Sequence, residues 1–316
     1  MKNYYFAIDV GGTSTKGGIV DENNTLICKD SIKTKISNET NGLAGCIIEI
    51  IKKLELKSNL KISNAQGLGI GIPGEIDAEN GIVCVSRNLG LSNYKVVSEL
   101  KKQIKIPIRI ANDANLAALG EYKIGAAKTF KTFVMLTLGT GIGGEFFVNG
   151  VPYSKISPFS GEFGHIKVFG GVGRQCACGE YDCFELYGST RALTRQTKEA
   201  MLANTNSNMW KSYNENSVNG RTVFEYLNKD KTADETFEKF IGYLGSGIAS
   251  IVNLLMPEAV IIGGSISNEK EKLTKPLEKY VNSHIYAKDL KQCYVKILPA
   301  NLGSDAGIYG AKNLFD

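Results

Sequence analysis

Twice in this chain an apolar run ends in a cluster of glycines, and a second apolar run follows at once. The first instance is Tyr4 to Val10, then Gly11-Gly12-Thr13, then on through Ile19 and Val20. The second is Phe133 to Leu138, then Gly139-Thr140-Gly141-Ile142-Gly143-Gly144, then Phe146 to Val148. Strand, glycine turn, strand is the pattern of a hairpin. Its repetition within 316 residues, more than one ordinary domain holds, predicts two related lobes.

Between and beyond the hairpins the period changes. Leu43, Ile47, Ile50, Ile51 and Leu54 recur at helical spacing, which predicts an amphipathic helix over 41–57. A buried strand follows over 67–72, closed by Pro73-Gly74, then a helix near 94–104 and a strand from Pro107 through Ile110. A helix begins at Ala114, and further helices are expected near 188–203, 221–228, 233–255, 269–283 and 304–313. Strands are expected at 260–262 and 294–298, and the Asn- and Ser-rich stretch 204–220 reads as a surface loop. Strands alternating with helices through long crossovers indicate an α/β protein.

Composition narrows the partners. Hydrophobic residues at 43% and charged residues at 22% describe a globular chain with a sizeable core. The formal charge of +5 is mild, and pairs such as Lys52-Lys53 and Lys101-Lys102 fall on predicted helices as solvated faces, so no nucleic-acid partner is expected. Asn253, Pro257 and Glu258 interrupt the longest apolar candidate, so no membrane partner is expected. The N-terminal run reaches Asp9 too soon for a signal peptide, and seven cysteines, an odd number, argue for a reducing compartment. A cytoplasmic location is the expectation.

Gly139-x-Gly141-x-x-Gly144 formally matches the dinucleotide fingerprint, but that motif needs a helix directly after it, and strand-like Glu145-Phe-Phe-Val148 follows instead. A nicotinamide site is rejected, and the absence of G-x-x-x-x-G-K-[ST] excludes a P-loop. What remains is a pair of glycine turns, each able to offer backbone N–H groups and a threonine hydroxyl to a phosphate. A single glycine hairpin can equally be no more than a tight turn. Asn112-Asp113 stands where a strand ends and a helix begins. It can be a helix cap, or a functional carboxylate favoured by the helix N-terminus.

The densest chemistry lies between Gly161 and Glu185, which contains one of the two histidines and three of the seven cysteines. His165, Cys176, Cys178 and Cys183 make a full tetrahedral set for zinc with no position left for water, hence a structural rather than hydrolytic site. Cys176 and Cys178 are too close for an easy disulfide, and the plain alternative is three unrelated buried thiols.

Glu162-x-Gly164-His165 with Cys176-x-Cys178-Gly179-x3-Cys183-x-Glu185 resembles the zinc signature of the ROK family, which contains bacterial sugar kinases and sugar-responsive repressors. Asp9-Val-Gly-Gly-Thr13 and Gly139-Thr-Gly-Ile-Gly-Gly144 resemble the two phosphate segments of the actin-like sugar kinases, and Ile110-Ala-Asn-Asp113 through Glu121 resembles the ROK catalytic segment. The likeness spans essentially the whole chain. It implies an α/β, two-lobed actin-like (ribonuclease H-like) ATPase fold with an interlobe cleft. The smaller lobe would be 1–115 plus 302–316, and the larger, carrying the zinc site, 116–301.

The resemblance also implies roles. Asp113 is the general base; Asn88, Asn112, Asp113, Glu162, His165 and Glu185 contact the sugar. Gly11, Gly12, Thr13, Lys16, Gly139, Thr140, Gly141 and Gly143 hold the ATP phosphates, Asp9 holds Mg2+ through water, and Gly263-Gly264 form the adenosine segment. His165, Cys176, Cys178 and Cys183 hold a structural Zn2+, with one nitrogen of His165 on the metal and the other towards the sugar. The implied activity is ATP-dependent phosphorylation of a hexose at its 6-hydroxyl, glucose first, with N-acetylmannosamine or another acetamido sugar as the alternative. A homo-oligomer, a dimer by preference, is implied too.

Three departures stand out. Asp182 occupies the position before the last cysteine where the family usually has glycine, Glu145 follows Gly143-Gly144 where a third glycine is frequent, and Gly90-Leu-Ser-Asn93 replaces a Pro-Gly-Trp segment. An aspartate can adopt a left-handed turn at modest cost, so the loop is expected to survive. Repressors of the family place a helix-turn-helix ahead of the sugar-binding lobes. Here the first strand begins by Tyr4 and the catalytic set is present, which favours the enzyme over the regulator, and over an actin-like scaffold.

Overall fold

The computed structural model describes residues 3–36, 42–157, 159–167 and 172–316. The elements are β1 (Tyr4–Val10), β2 (Ser14–Asp21), β3 (Leu26–Lys33), α1 (Gly42–Ser58), β4 (Leu68–Ile72), β5 (Glu75–Asp77), β6 (Ile82–Ser86), β7 (Leu91–Tyr94), α2 (Val96–Lys101), β8 (Ile108–Asn112) and α3 (Asp113–Ile124). Then come β9 (Phe133–Leu138), β10 (Ile142–Val148), β11 (Val151–Pro152), α4 (Glu185–Gly188), α5 (Thr190–Ala203), α6 (Thr222–Tyr226) and α7 (Lys231–Leu255). The chain closes with β12 (Ala259–Gly263), α8 (Glu271–His284), β13 (Lys296–Pro299) and α9 (Ala306–Lys312). They form two compact units, Met1–Thr129 with Pro152–Ser160 and Ser304–Asp316, and Phe130–Val151 with Gly161–Gly303.

Each unit is built on the same strand plan. The first has the sheet order β3-β2-β1-β4-β8, the second β11-β10-β9-β12-β13. In both, a glycine-turned hairpin (β1–β2, β9–β10) is antiparallel, and the first strand of that hairpin then pairs in parallel with a later one (β4, β12). Parallel strands covered on both faces read as continuous apolar runs, as Leu68–Ile72 and Ala259–Gly263 do, every residue of both being buried.

The first core gathers Phe6, Ile8 and Val10 with Leu68, Ile70 and Ile72, under α1 residues Leu43, Ile47, Ile50 and Leu54. The helix expected over 41–57 is thus α1, with residue 41 outside the described residues. On the other side of this sheet α9 lies directly on β4, because a Cβ at Gly69 would come within 2.0 Å of the Ala311 carbonyl oxygen. Helices α3 and α9 also meet backbone to backbone: a Cβ at Gly310 would sit 1.8 Å from the Leu116 oxygen, and one at Gly120 would sit 2.4 Å from that of Ala306. That contact carries α3 into the first unit, which runs past residue 115 to Thr129. The second core packs Val134, Leu136, Val260 and Ile262 against Phe240, Leu244, Ile248 and Val252 of α7.

Three local patterns differ from expectation. Strand β3 was hidden because its residues alternate only between half-buried and exposed, with Lys29, Asp30 and Lys33 on it. The small sheet β5-β6-β7 consists of strands too short for a periodic signal. The stretch 204–220, largely exposed as expected of a surface loop, departs from one only in a 3-10 turn, Asn208–Lys211, that buries Met209 and hydrogen-bonds the Trp210 indole to the Met201 carbonyl at 3.0 Å.

Candidate active site and metal knuckle

In the first unit the candidate residues Asp9, Asn112 and Asp113 lie at the C-terminal ends of β1 and β8, which flank β4, where open α/β sheets place their ligands. The register aligns Asp9 with Gly71, Gly71 with Ala111, and Ile72 with Asn112. Both acidic positions lie beside Gly71: a Cβ there would be at ordinary contact distance from each, 3.6 Å from Asp9 Oδ1 and 3.5 Å from the Asp113 Cα. From α9, Gly307 leaves room for Asp9 as well, since its Cβ would come 2.6 Å from the carboxyl carbon. Burial in this setting pushes the Asp9 pKa up to about 6, opposed by the charge of Lys16, its partner across β1–β2.

Asn112 is the N-cap of α3. Its Oδ1 accepts from Ala114 N at 2.8 Å and Asn115 N at 3.2 Å, and its Nδ2 donates to the Gly74 carbonyl at 3.0 Å. Asp113 is the first helical residue, half-buried, with Oδ1 accepting from Ala114 N at 3.0 Å. The two readings of Asn112-Asp113 therefore divide between the residues. The main capping bonds belong to Asn112, and Asp113 is a carboxylate at the positive end of the helix.

The turn between β1 and β2 is Gly11–Thr13, closed by Gly11 N donating to the Ser14 carbonyl at 3.0 Å, with Gly12 and Thr13 exposed. The Thr34 hydroxyl braces it by donating to the Gly11 carbonyl at 2.7 Å. Asn88, exposed on a 3-10 turn that ends at left-handed Gly90, lies beside Gly12, 3.9 Å separating its Cβ from where a Gly12 Cβ would be. Lys16 sits on β2 rather than in the turn, its Nζ donating to the Ser304 carbonyl at 3.3 Å.

In the second unit the corresponding turn is Gly139–Gly141, since Gly143 and Gly144 already belong to β10, opposite Thr137 and Leu136. Its carbonyls are held by the start of α5: Arg191 N donates to Gly139 O at 3.1 Å, and the Thr190 hydroxyl to Leu138 O at 3.0 Å. Next to it, Gly263 pairs with Thr137, and Gly264 turns the chain away at φ +86, where a Cβ would be 2.1 Å from the Leu138 oxygen.

The cysteine stretch is a knuckle. Gln175 and Tyr181 form an antiparallel bridge, Cys176 N donates to Glu180 O at 2.7 Å, and Gly179 N to Cys176 O at 2.9 Å. Ligand atoms of His165, Cys176, Cys178 and Cys183 all lie within 4.8 Å of one another. Three thiols and an imidazole this close, with Cys176 and Cys183 buried, fit a tetrahedral zinc. Burial pushes the Cys176 thiol up to about 12 and raises Cys183, whereas backbone N–H donation from Glu180 lowers Cys178. A bound divalent ion would deprotonate all three.

His165 faces two ways. Nδ1 is 3.8 Å from Cys176 Sγ, and Nε2 is 3.9 Å from Glu162 Oε2. Glu185 joins the knuckle to the glycine turn: its Oε1 accepts from Cys176 Sγ at 3.0 Å, and its Oε2 would be 2.1 Å from a Cβ on Gly141. Three neighbours escaped sequence reasoning. Lys167 Nζ donates to Tyr181 O at 2.6 Å and lies 4.0 Å from Cys183 Sγ, Gly307 makes room for Asp9, and Tyr187 bonds Asp182. Lone residues of these types carry no local signal.

The strand plan, found twice, is that of the actin-like ATPases, and solved relatives agree. A glucokinase of Streptomyces griseus, crystallised with glucose and AMPPNP, superposes with a TM-score of 0.86 over 99% of both chains at 27% identity. The chain belongs to the ROK family, whose model matches residues 5–316. A glucokinase of Halalkalibacterium halodurans is 30% identical over 97% of this chain and 93% of its own length. The xylose repressor of Bacillus subtilis is 31% identical over 98% of this chain and 76% of its own length.

Proposed function

We propose that this chain, a sugar kinase of the ROK family, transfers the γ-phosphoryl group of ATP to the 6-hydroxyl of a free hexopyranose, glucose being the preferred acceptor. The observation that carries the reading is the convergence of Asp9 and the head of α3, with Asp113, at the ends of β1, β4 and β8. Asp113 is the base: it accepts the proton of the attacking hydroxyl while the helix N-terminus stabilises its charge. Asn112 caps α3 and keeps Asp113 in place. Phosphoryl transfer through a loose transition state depends above all on positioning, which rigid strand ends supply.

Glu162, His165, Glu185, Asn88 and Asn112 are the proposed sugar contacts. The glycine turns Gly11–Thr13 and Gly139–Gly141, with Lys16, Thr140 and Gly143 beside them, take the ATP phosphates, and Gly263-Gly264 the adenosine. Asp9 would hold Mg2+, which neutralises phosphate charge, through water. His165, Cys176, Cys178 and Cys183 would hold a zinc ion that fixes the His165 ring for hydrogen bonding to a hydroxyl. A reducing cytoplasm keeps these thiols available as ligands, and a dimer is the expected assembly.

Likeness to a repressor keeps one second reading, a sugar-responsive regulatory core, which would bind sugar without turnover. The experiment is kcat/KM with ATP across glucose, mannose, fructose, N-acetylglucosamine and N-acetylmannosamine, with the phosphorylated position read by NMR. Glucose 6-phosphate as the best product supports the proposal. Preference for an acetamido sugar replaces glucose, and binding with no turnover on any hexose replaces the kinase.

A further inference from the structure

Asp182 does more than occupy a tight turn. Its φ is +56, a conformation glycine adopts more cheaply, yet the carboxylate is fully engaged. Oδ1 accepts from Arg174 N at 3.0 Å and from the Tyr187 hydroxyl, and Oδ2 accepts from Gly173 N at 3.3 Å. The Asp182 N–H returns a bond to Arg174 O at 2.8 Å. Tyr187, 2% exposed and 5.0 Å from the ring of Tyr243, also accepts from Val172 N at 2.9 Å through its hydroxyl oxygen. Three successive amides, 172 to 174, are thus tied to one Asp–Tyr pair rooted in the core of the second unit. None of these bonds uses an atom of His165, Cys176, Cys178 or Cys183.

The tied segment leads directly into Gln175 and Cys176, and Asp182 directly precedes Cys183, so the pair clasps both arms of the knuckle at its base. On the far side, Lys167 bridges Cys183, and Phe184 N donates to Ile166 O at 2.8 Å, which fixes the chain leaving His165. We propose that Asp182 and Tyr187 form a positioning clamp that pre-arranges the knuckle for its metal, raising metal affinity and, through His165 and Glu185, holding the sugar-reading side chains. This rests on reading the knuckle as a zinc site.

Backbone strain and the clamp predict opposite results for Asp182→Gly. Zinc affinity is measured on the metal-stripped full chain by competition with a chromophoric chelator, alongside the melting temperature. Loss of a group bonded directly to a metal ligand typically costs about 10–100-fold in affinity, and a clamp acting through the backbone of the knuckle should fall at the lower end of that range. We expect that loss for Asp182→Gly and for Tyr187→Phe, which keeps the ring packing, with a smaller loss for Asp182→Asn. The double variant should be little worse than either single one, because the two act as one unit. Sugar KM should rise more than kcat falls. Unchanged zinc affinity with a higher melting temperature in Asp182→Gly would show that the residue only fills a turn, and unchanged affinity in Tyr187→Phe overturns the clamp as well. If the unsubstituted protein takes up no zinc, the zinc reading itself fails, an outcome distinct from both.

Discussion

The two units hold their candidate residues by different means. In the first, Asp9 and Asp113 stand at the ends of sheet strands whose registers align them, and α3 and α9 close on each other through glycines with no side chain between their backbones. In the second, Glu162, His165 and Glu185 sit on short turns and a four-residue helix, fixed by side-chain contacts to a cysteine knuckle. Placement by buried backbone is rigid but intolerant of added volume. Placement by a knuckle depends on ligand chemistry and can be undone chemically.

The sharpest test of the contrast is Asp113→Asn. It preserves shape and helix packing but removes proton acceptance, so turnover should fall by about 10²–10⁴-fold with sugar binding intact. Wild-type turnover in that variant would reduce Asp113 to part of the helix cap.

Asp9 tests what the rigid frame costs. Its pKa is about 6 in the fold against 3.8 for the free group, so the folded state binds more protons between those values. Stability therefore falls as pH rises from about 4 to 6, and the ionised carboxylate at pH 7 opposes folding by at most about 3 kcal/mol. Asp9→Asn, without added metal, should be more stable than wild type at pH 7, with the advantage fading by pH 4. Parallel stability curves for the two proteins from pH 4 to 7 would contradict this.

Gly310→Ala probes the backbone contact itself. A Cβ there meets the Leu116 carbonyl oxygen at 1.8 Å, so α9 must shift, at a cost of about 1–3 kcal/mol in denaturant unfolding. Retained stability would mean that α3 and α9 have slack.

The smallest effect on the reaction should come from the knuckle. Cys178→Ser removes one of the four ligands, so it should lower zinc content from about one per chain and raise sugar KM through displacement of His165, with kcat less affected. Full activity in wild-type protein that metal analysis finds free of zinc would end the structural-metal idea.

Much of the frame was legible in local patterns. The helical period of Leu43, Ile47, Ile50 and Leu54 reappears as the buried face of α1, and both glycine hairpins are present with the strands they turn. The left-handed turn allowed for Asp182 is there, at φ +56. The less legible parts are those in which polar residues face an edge, as in β3, or in which glycines act as strand, as Gly143 and Gly144 do.

By itself the sequence determined the elements whose period or turn chemistry spans a few residues, and the cysteine and histidine spacing that allows a knuckle. Tertiary structure alone decided which groups meet in the packing: Gly307 against the Asp9 carboxylate, Gly310 against the Leu116 carbonyl, Gly141 against the Glu185 carboxylate, Tyr187 against Asp182. Periodicity and turn preference act through neighbours along the chain. Burial, close backbone approach and hydrogen-bond partnership are fixed by packing between segments that a linear pattern does not relate.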